Sequence, residues 1–459
     1  MEYRIKNGGD GTNGMKIQKY LSISVLGLLL FQWAIAQPLP PNPSLISLKH
    51  FATIEKPTCF DSAYNDLHFI IGENLNYLYP VYQLLGNENK FMQRFSTPQY
   101  YELLSQSVSF LGDYEGALDY QQLADTSHLT DVENRQIGKS IQQLKNIKHV
   151  DAKRFIGFIA SSHKVIMLNE AYNKPIHRAF AYSLLDLLYN RGYRYLAMEM
   201  LNPRADQELT KLTYRTGHFA AEPVAGELIR QALELGFKLV AYEDSLADQH
   251  TPTERDSIQA VHIAHIFKED PEAKVFVYAG YGHIAKKTTT PDFIPMGMAF
   301  KRITGIDPLT IDQTDMTEES NFSFGKAFYN AYMDKFPVTT PSIPLVNDEP
   351  VNVTGTTLYD LTVIHPKTIY YYERPTWLAL SNRRQPVSIK TTNRSIYLVQ
   401  AYYQFESFGT KPGQVIPADQ TYFSFGNGTY TLYLRRGLYI LIFRDLQYKT
   451  LYTQHLEVN

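Results

Sequence analysis

The stretch Lys274-Val275-Phe276-Val277-Tyr278-Ala279-Gly280-Tyr281-Gly282-His283 decides the fold class. It starts apolar and β-rich, then turns through two glycines onto a histidine. Residues 165–170, 195–200 and 238–243 are runs of the same kind. Between them, residues 176–190, 224–235 and 253–268 carry helical periodicity. Short apolar strands joined by helical crossovers predict an α/β domain. Its sheet is mostly parallel, with helices on both faces. Residues 359–365 and 375–380 are further strand candidates.

Downstream of about residue 386 the helical periodicity stops. Residues 395–403, 422–425, 429–434 and 438–444 read as short strands, with turns at Gly426-Asn427-Gly428 and Arg436-Gly437. Residues 450–458 close the set, which predicts a small antiparallel β-sandwich. Upstream, residues 60–150 are helical in pattern. Residues 110–120 resemble one half of a tetratricopeptide repeat, with no second copy at the expected period. One repeat cannot bury its own face, so a helical region packed on the next domain is expected. Residues 37–57 are a proline-rich linker. The expected organisation is a leader and signal peptide at 1–36 and a linker with a helical region at 37–150. The α/β domain then takes 151–385 and the sandwich 386–459.

The leader carries a recognisable signal. Met15-Lys16-Ile17-Gln18-Lys19 is basic, residues 21–31 are apolar, and Ala34-Ile35-Ala36 offers a small-x-small cleavage site before Gln37. This is a Sec-type signal peptide, too short and wrongly flanked for a stable membrane span. An exported protein, periplasmic or secreted, is expected, with no stable span after cleavage. No cysteine follows the apolar stretch, so a lipoprotein anchor is not expected. Cys59 is the single cysteine of the 459 residues. It excludes an intramolecular disulfide and a cysteine-based zinc site.

Net charge is formally −2 and no Lys/Arg-rich run is present. Nucleic acid is therefore not an expected partner, and a small-molecule ligand or substrate is. Aromatic residues make up 13% of the chain, which suits tyrosines filling half-wet sheets.

In a parallel sheet, ligands bind beyond the carboxyl ends of the strands. Four successive predicted strands end at Glu170, Glu199, Glu243 and His283. A carboxylate after a strand is often only a helix cap. Four such residues at four successive ends form a candidate acid/base or metal-assisted site, because clustered carboxylates push their pKa values apart and a histidine shuttles protons. Gly280 and Gly282 allow close backbone approach, with Tyr281 between them. His177 opens the first helix and can face the same mouth. Arg255 offers an anion clamp or a surface ion pair. His262 and His265, three apart on one helix, read as a packed pair, and His218 as a loop histidine. No esterase elbow, HExxH run, Walker motif or dinucleotide fingerprint is present.

Leu168-Asn169-Glu170-Ala171-Tyr172-Asn173-Lys174-Pro175-Ile176-His177 resembles the Gly-Glu-x-His-x-x-x-x-His signature of ChaN-like haem-uptake proteins of the Tiki superfamily. It also resembles the opening motif of erythromycin-esterase-like hydrolases. The run from Val277 to Ile284 is similar to the later Gly-x-x-His segment of both groups, and Glu199 matches their second-strand glutamate. The resemblance spans about residues 155–310. It implies a hydrolase-like site of Glu170, Glu199 and His283, working with or without a metal. Asn169 replaces the motif glycine, and Tyr172 or Asn173 stands where the relatives carry a histidine that activates water. The resemblance equally implies a haem- or small-ligand-binding protein, with Tyr172 and His177 as the natural ligands. A third expectation is an exported interaction protein without chemistry. The implied cofactor is haem, a divalent metal or none.

Overall fold

Among the described residues, six parallel strands form the centre of the fold. In chain order they are β1 (Val165–Glu170), β2 (Tyr195–Met198), β3 (Lys238–Ala241), β4 (Val275–Gly280), β5 (Leu309–Asp312) and β6 (Leu361–Thr362). Their order across the sheet is β6-β5-β1-β4-β2-β3, and every neighbouring pair is parallel. The computed structural model describes residues 70–71, 74–125, 129–204, 209–288, 290–320, 325–407, 410, 412–423 and 428–459. These belong to the unit Pro43–Asn459. The expected signal peptide, the proline-rich linker and Cys59 lie outside the described residues.

The strands are apolar on both faces because helices cover both faces. Ile166, Leu168, Leu196, Met198, Phe276 and Tyr278 pack with helices α1 (Ile176–Asn190) and α2 (Pro223–Leu235). The alternate residues Val165, Met167, Ala197, Val275, Val277 and Ala279 pack with α3 (Pro252–Glu269) and α4 (Met296–Thr304). Helix starts follow local chemistry. Thr251 and Glu254 form a capping box with Pro252 in the first turn of α3. Glu222 caps α2 through the Val224 and Ala225 amides. The described helices include none long and apolar enough to cross a membrane.

The expected alternation of strands and helices is therefore present, with differences at its edges. Residues 375–380 do not form a strand. Arg374–Pro375 pairs with Tyr370–Tyr371, and Thr376–Ala379 turns as a 3-10 helix. The apolar run serves packing instead: Leu378 is buried and the Trp377 ring lies 4.9 Å from Tyr114. Strand β5 is additional, and residues 359–365 contribute only Leu361–Thr362 to the sheet. Lys148–Asp151 and Ser342–Val346 pair in a small antiparallel sheet absent from the sequence reading.

The helices Thr97–Phe110 and Tyr114–Ala124 pack as a pair rather than as part of a repeat array. They dock on the α/β domain through Asn173, whose amide donates to Ser105 Oγ at 2.9 Å and Gln121 Oε1 at 2.6 Å. At the other end, β7 (Gln385–Lys390) and β10 (Thr429–Leu434) form one antiparallel sheet. β8 (Leu398–Tyr403), β9 (Asp419–Thr421), β11 (Gly437–Arg444) and β12 (Thr450–Val458) form the other. Ile389 and Leu432 of the first sheet meet Val399, Leu441 and Phe443 of the second in one core. The expected strand at 422–425 is displaced to β9, and residues 424–427 lie outside the described residues.

Candidate functional site

The carboxyl ends of β1, β4 and β2 are brought level by the strand register. Glu170 lies opposite Gly280, and Met198, the residue before Glu199, lies opposite Tyr278. Four sequence-expected residues converge there: Glu199, Glu243, Arg255 and His283. Arg255, in the first turn of α3, reaches back over the strand ends. Its Nη2 donates to Glu199 Oε1 at 2.6 Å, and Nη2 and Nε both bind Glu243, the latter at 2.9 Å. Gln259, one turn further, donates to Glu243 Oε1 at 3.0 Å. His283 Nε2 lies 3.5 Å from Glu199 Oε1 and equally far from Arg255 Nη1.

Two backbone features set this geometry. The Gly280 amide donates to Glu199 Oε2. Tyr172 crosses so close to Gly280 that a Cβ there would stand 2.0 Å from the tyrosine hydroxyl oxygen, so no larger residue fits without displacing that ring. The Tyr172 hydroxyl donates to Glu199 Oε1 at 3.1 Å. Tyr281 has φ of 36°, in the left-handed region, and its ring meets Tyr172 edge-on at 5.3 Å. Such backbone in a bulky residue is uncommon and clusters at functional sites. Tyr172 also stacks on Phe219 at 4.5 Å.

Sequence reasoning missed Asp256. It is fully buried, accepts from His283 Nδ1 at 2.8 Å, and takes the Met296 amide on its other oxygen at 2.8 Å. His283 is thereby fixed with Nε2 towards Glu199. A signal existed: Asp256 and Gln259 precede Ala260 and Ile263 on the face of α3 that packs inward, where polar residues need partners.

Electrostatics assign protonation states. Burial opposes ionisation of Glu199. His283, Arg255, the Gly280 amide and the Tyr172 hydroxyl outweigh it and hold the carboxyl below the usual range. Burial also opposes the charged form of His283, but Glu199 and Asp256 outweigh it and raise its pKa above the ordinary histidine value. Burial and the Glu199 charge push the Tyr172 phenol well up, so it remains a neutral donor. At neutral pH the centre pairs a glutamate with a histidine held towards its imidazolium form.

Glu170 and His177 are not part of this mouth. Glu170 lies beneath it, bound to Arg178 Nε at 2.7 Å and to the Tyr278 hydroxyl at 3.1 Å. Arg178 also meets Glu222 at 3.2 Å. Burial pushes Glu170 up, and Arg178 and Tyr278 offset only part of that. His177 is fully buried, 5.2 Å ring to ring from His365, and its Nδ1 accepts the Ala171 amide at 3.0 Å. Nε2 therefore carries its proton.

These placements bear on the implied cofactors. A haem ligand needs a free ring nitrogen or a phenolate; His177 offers Nε2–H in a closed interior, and Tyr172 keeps its proton for Glu199. Neither fits haem iron. A divalent ion at Glu199, Glu243 and His283 would compete with the Arg255 guanidinium already between them. Among the described residues no three His, Cys, Asp or Glu side chains are grouped to hold a metal.

His365 carries a measurable consequence. Burial and then Lys174 depress its pKa from 6.5 to about 3. The folded protein therefore stays neutral at this ring while the unfolded chain takes up a proton below about pH 6.5. Stability from this group is complete above that pH and is lost progressively as pH falls towards 3. The thermal midpoint of His365→Gln should fall less than that of the parent between pH 7 and 4, as followed by circular dichroism. Equal falls would remove His365 as the cause.

The mouth opens beside a cleft of about 710 Å³. Glu199 and Glu243 stand in its wall together with Met200, Leu201, Tyr214 and Phe219. The loop that builds it is closed by the Asn202 amide on Thr216 O at 2.7 Å. Gly217, φ 156°, follows; a Cβ there would lie 1.9 Å from Met200 O.

Fold and site together define an α/β protein with a carboxylate–arginine–histidine centre at the strand ends of a parallel sheet. No protein-family description and no curated protein matches the chain. Among solved structures, the type III effector HopBA1 is similar at 13% identity, over 40% of this chain and 93% of that one, with a TM-score of 0.29. Two bacterial protein toxins are similar at 11% and 12% identity, with TM-scores of 0.29 and 0.28. The chain spans about half the length of those toxins, 50% and 48%. At these TM-scores the likeness carries no argument about function.

Proposed function

We propose that the protein is a hydrolase of a small-molecule ester or amide, working by acid–base catalysis at Glu199 and His283. The observation that carries this reading is the Asp256–His283 pair aimed at the Glu199 carboxylate, beside an open cleft. Glu199 is the base that takes a proton from a water molecule. His283 is the acid that gives one from Nε2 to the leaving group. Asp256 positions the imidazole, Arg255 and Tyr172 position Glu199, and the cleft receives the substrate body. The reading agrees with the resemblance to erythromycin-esterase-like proteins in its second-strand glutamate and late histidine, and departs from it in leaving Glu170 as a buried ion-pair partner. The signal-like leader supports placing this activity outside the cytoplasm, in a periplasm or secreted.

The test is hydrolysis of a panel of carboxylic esters and amides by the parent and by Glu199→Gln. Loss of the general base is expected to lower turnover by about 10²–10⁴-fold. Equal turnover by the two proteins would overturn the assignment.

A further inference from the structure

A second polar feature lies away from the mouth, at the turn that leads into α1. Lys174 is 4% exposed. Its Nζ donates to the Glu319 carbonyl at 2.5 Å, and no carboxylate among the described residues reaches it within salt-bridge distance. The nearby acids are engaged elsewhere. Glu318 accepts the Thr368 amide at 2.8 Å, and the Glu319 carboxylate meets Lys326 at 3.5 Å. A buried lysine without an ion pair favours the neutral amine, which is the nucleophilic form.

Lys174 also lines a cavity. It shares the wall with Tyr114, Asn173, Glu318, Tyr370 and Trp377. The cavity has about 20 Å³ of space, enough for a group the size of a water or a carbonyl. Glu318, Tyr370 and Trp377 are half-buried, so this wall reaches solvent. Asn173 Oδ1 is buried without a hydrogen-bond partner. One amine, one carboxylate and one spare acceptor around a space of that size suit the carbonyl end of a small compound whose remainder stays on the solvent side, against Tyr370 and Trp377.

We propose that Lys174 is a reactive amine that condenses with a small aldehyde or α-keto acid in this cavity. The amine lone pair forms the C–N bond as the C=O π bond breaks, and the oxygen takes up the proton that the nitrogen releases to become the carbinolamine hydroxyl. Asn173 Oδ1 accepts a hydrogen bond from that hydroxyl. Glu318 relays the proton that lets it leave as water, giving an imine. One water is released and nothing is oxidised or reduced. The site is separate from Glu199 and His283, so the proposal stands without the hydrolase reading.

Burial pulls the Lys174 pKa down to about 7 against the opposing pull of Glu319 and Glu318. The other titratable groups facing the amine are Tyr114 and Tyr370 in the cavity wall, His177 on α1 and His365 beyond β6. The full chain is incubated with glyoxylate and cyanoborohydride, which reduces any imine to a stable amine, and lysines are mapped by peptide mass. Lys174 is expected to be modified several-fold faster than any other lysine at pH 7. Its rate should level off above about pH 8, while surface lysines keep rising towards pH 10. Lys174→Arg should remove the fast phase. Labelling spread over surface lysines with Lys174 spared, or a Lys174 rate that rises with the surface residues, would overturn the proposal.

Discussion

Arg178→Met is expected to destabilise the protein by about 3–5 kcal/mol, the range for removing one partner of a buried ion pair. Arg178 is fully buried between Glu170 and Glu222, both also buried, and its Nη2 donates to Tyr172 O at 2.9 Å. Methionine fills most of the volume and leaves two carboxylates facing an apolar interior. The loss is therefore one of charge compensation rather than of packing. Glu222 keeps the Val224 and Ala225 amides, so Glu170 is the worse placed of the two. Burial already pushes the Glu170 carboxyl up, and Arg178 is the largest opposing influence. Without Arg178 its folded pKa rises further above the unfolded value. A group shifted that way supports the fold below its unfolded pKa and loses that support as pH rises through the folded one. The deficit of the variant should accordingly be largest near neutral pH and shrink towards pH 5. Urea unfolding at both pH values measures it. A loss under about 1 kcal/mol at pH 7 would show that the triad contributes little.

The same triad explains how far the sequence could be read. The boundaries of β1 and α1 follow from an apolar run, a break at Asn173-Lys174-Pro175, and helical periodicity after it. β5 was hidden because Leu309-Thr310-Ile311-Asp312 alternates like an edge strand, yet all four residues are buried. Thr310 and Asp312 are satisfied there by Asp360 and Asn169, long-range partners that no local pattern announces. In the site, Glu199, Glu243 and His283 were legible because each lies one to three residues past a strand end and the register of a parallel sheet brings such ends together. Glu170 is the last residue of its strand and points beneath the mouth, where Arg178 meets it. His177 was carried the other way by the tight turn between Ala171 and His177, closed by the Lys174 amide on Ala171 O and the His177 amide on Lys174 O, both at 3.0 Å. Strand-end position identifies which residues come near a mouth; the direction of each side chain depends on pairing across the sheet.

Asp256 carries the other large expected effect. Asp256→Asn should lower turnover of any substrate hydrolysed at this centre by about 10²–10⁴-fold, the usual worth of a positioned acid–base group. One Asp256 oxygen accepts from His283 Nδ1 and the other from the Met296 amide. Asparagine has a single acceptor for these two donors. Its amide group must then face either the Met296 N–H or the histidine, and in the second case Nδ1 cannot carry a proton. The ring is then neutral with its one proton on Nε2, a far weaker acid than the imidazolium that Asp256 supports. The sign of the pH effect follows. Asp256 is one of the groups that raise the His283 pKa, so removing its charge lowers that pKa. Activity that requires protonated His283 should then lose its alkaline limb at lower pH in the variant than in the parent. The penalty should be smaller near pH 5 than near pH 8. The acid limb belongs to Glu199, whose carboxyl is held below the ordinary range, and should barely move. An NMR titration of the His283 ring reads the same shift with no substrate present, which separates a positioning role from mere loss of structure. A His283 pKa that is equal in parent and variant would remove Asp256 from the catalytic unit, whatever the turnover.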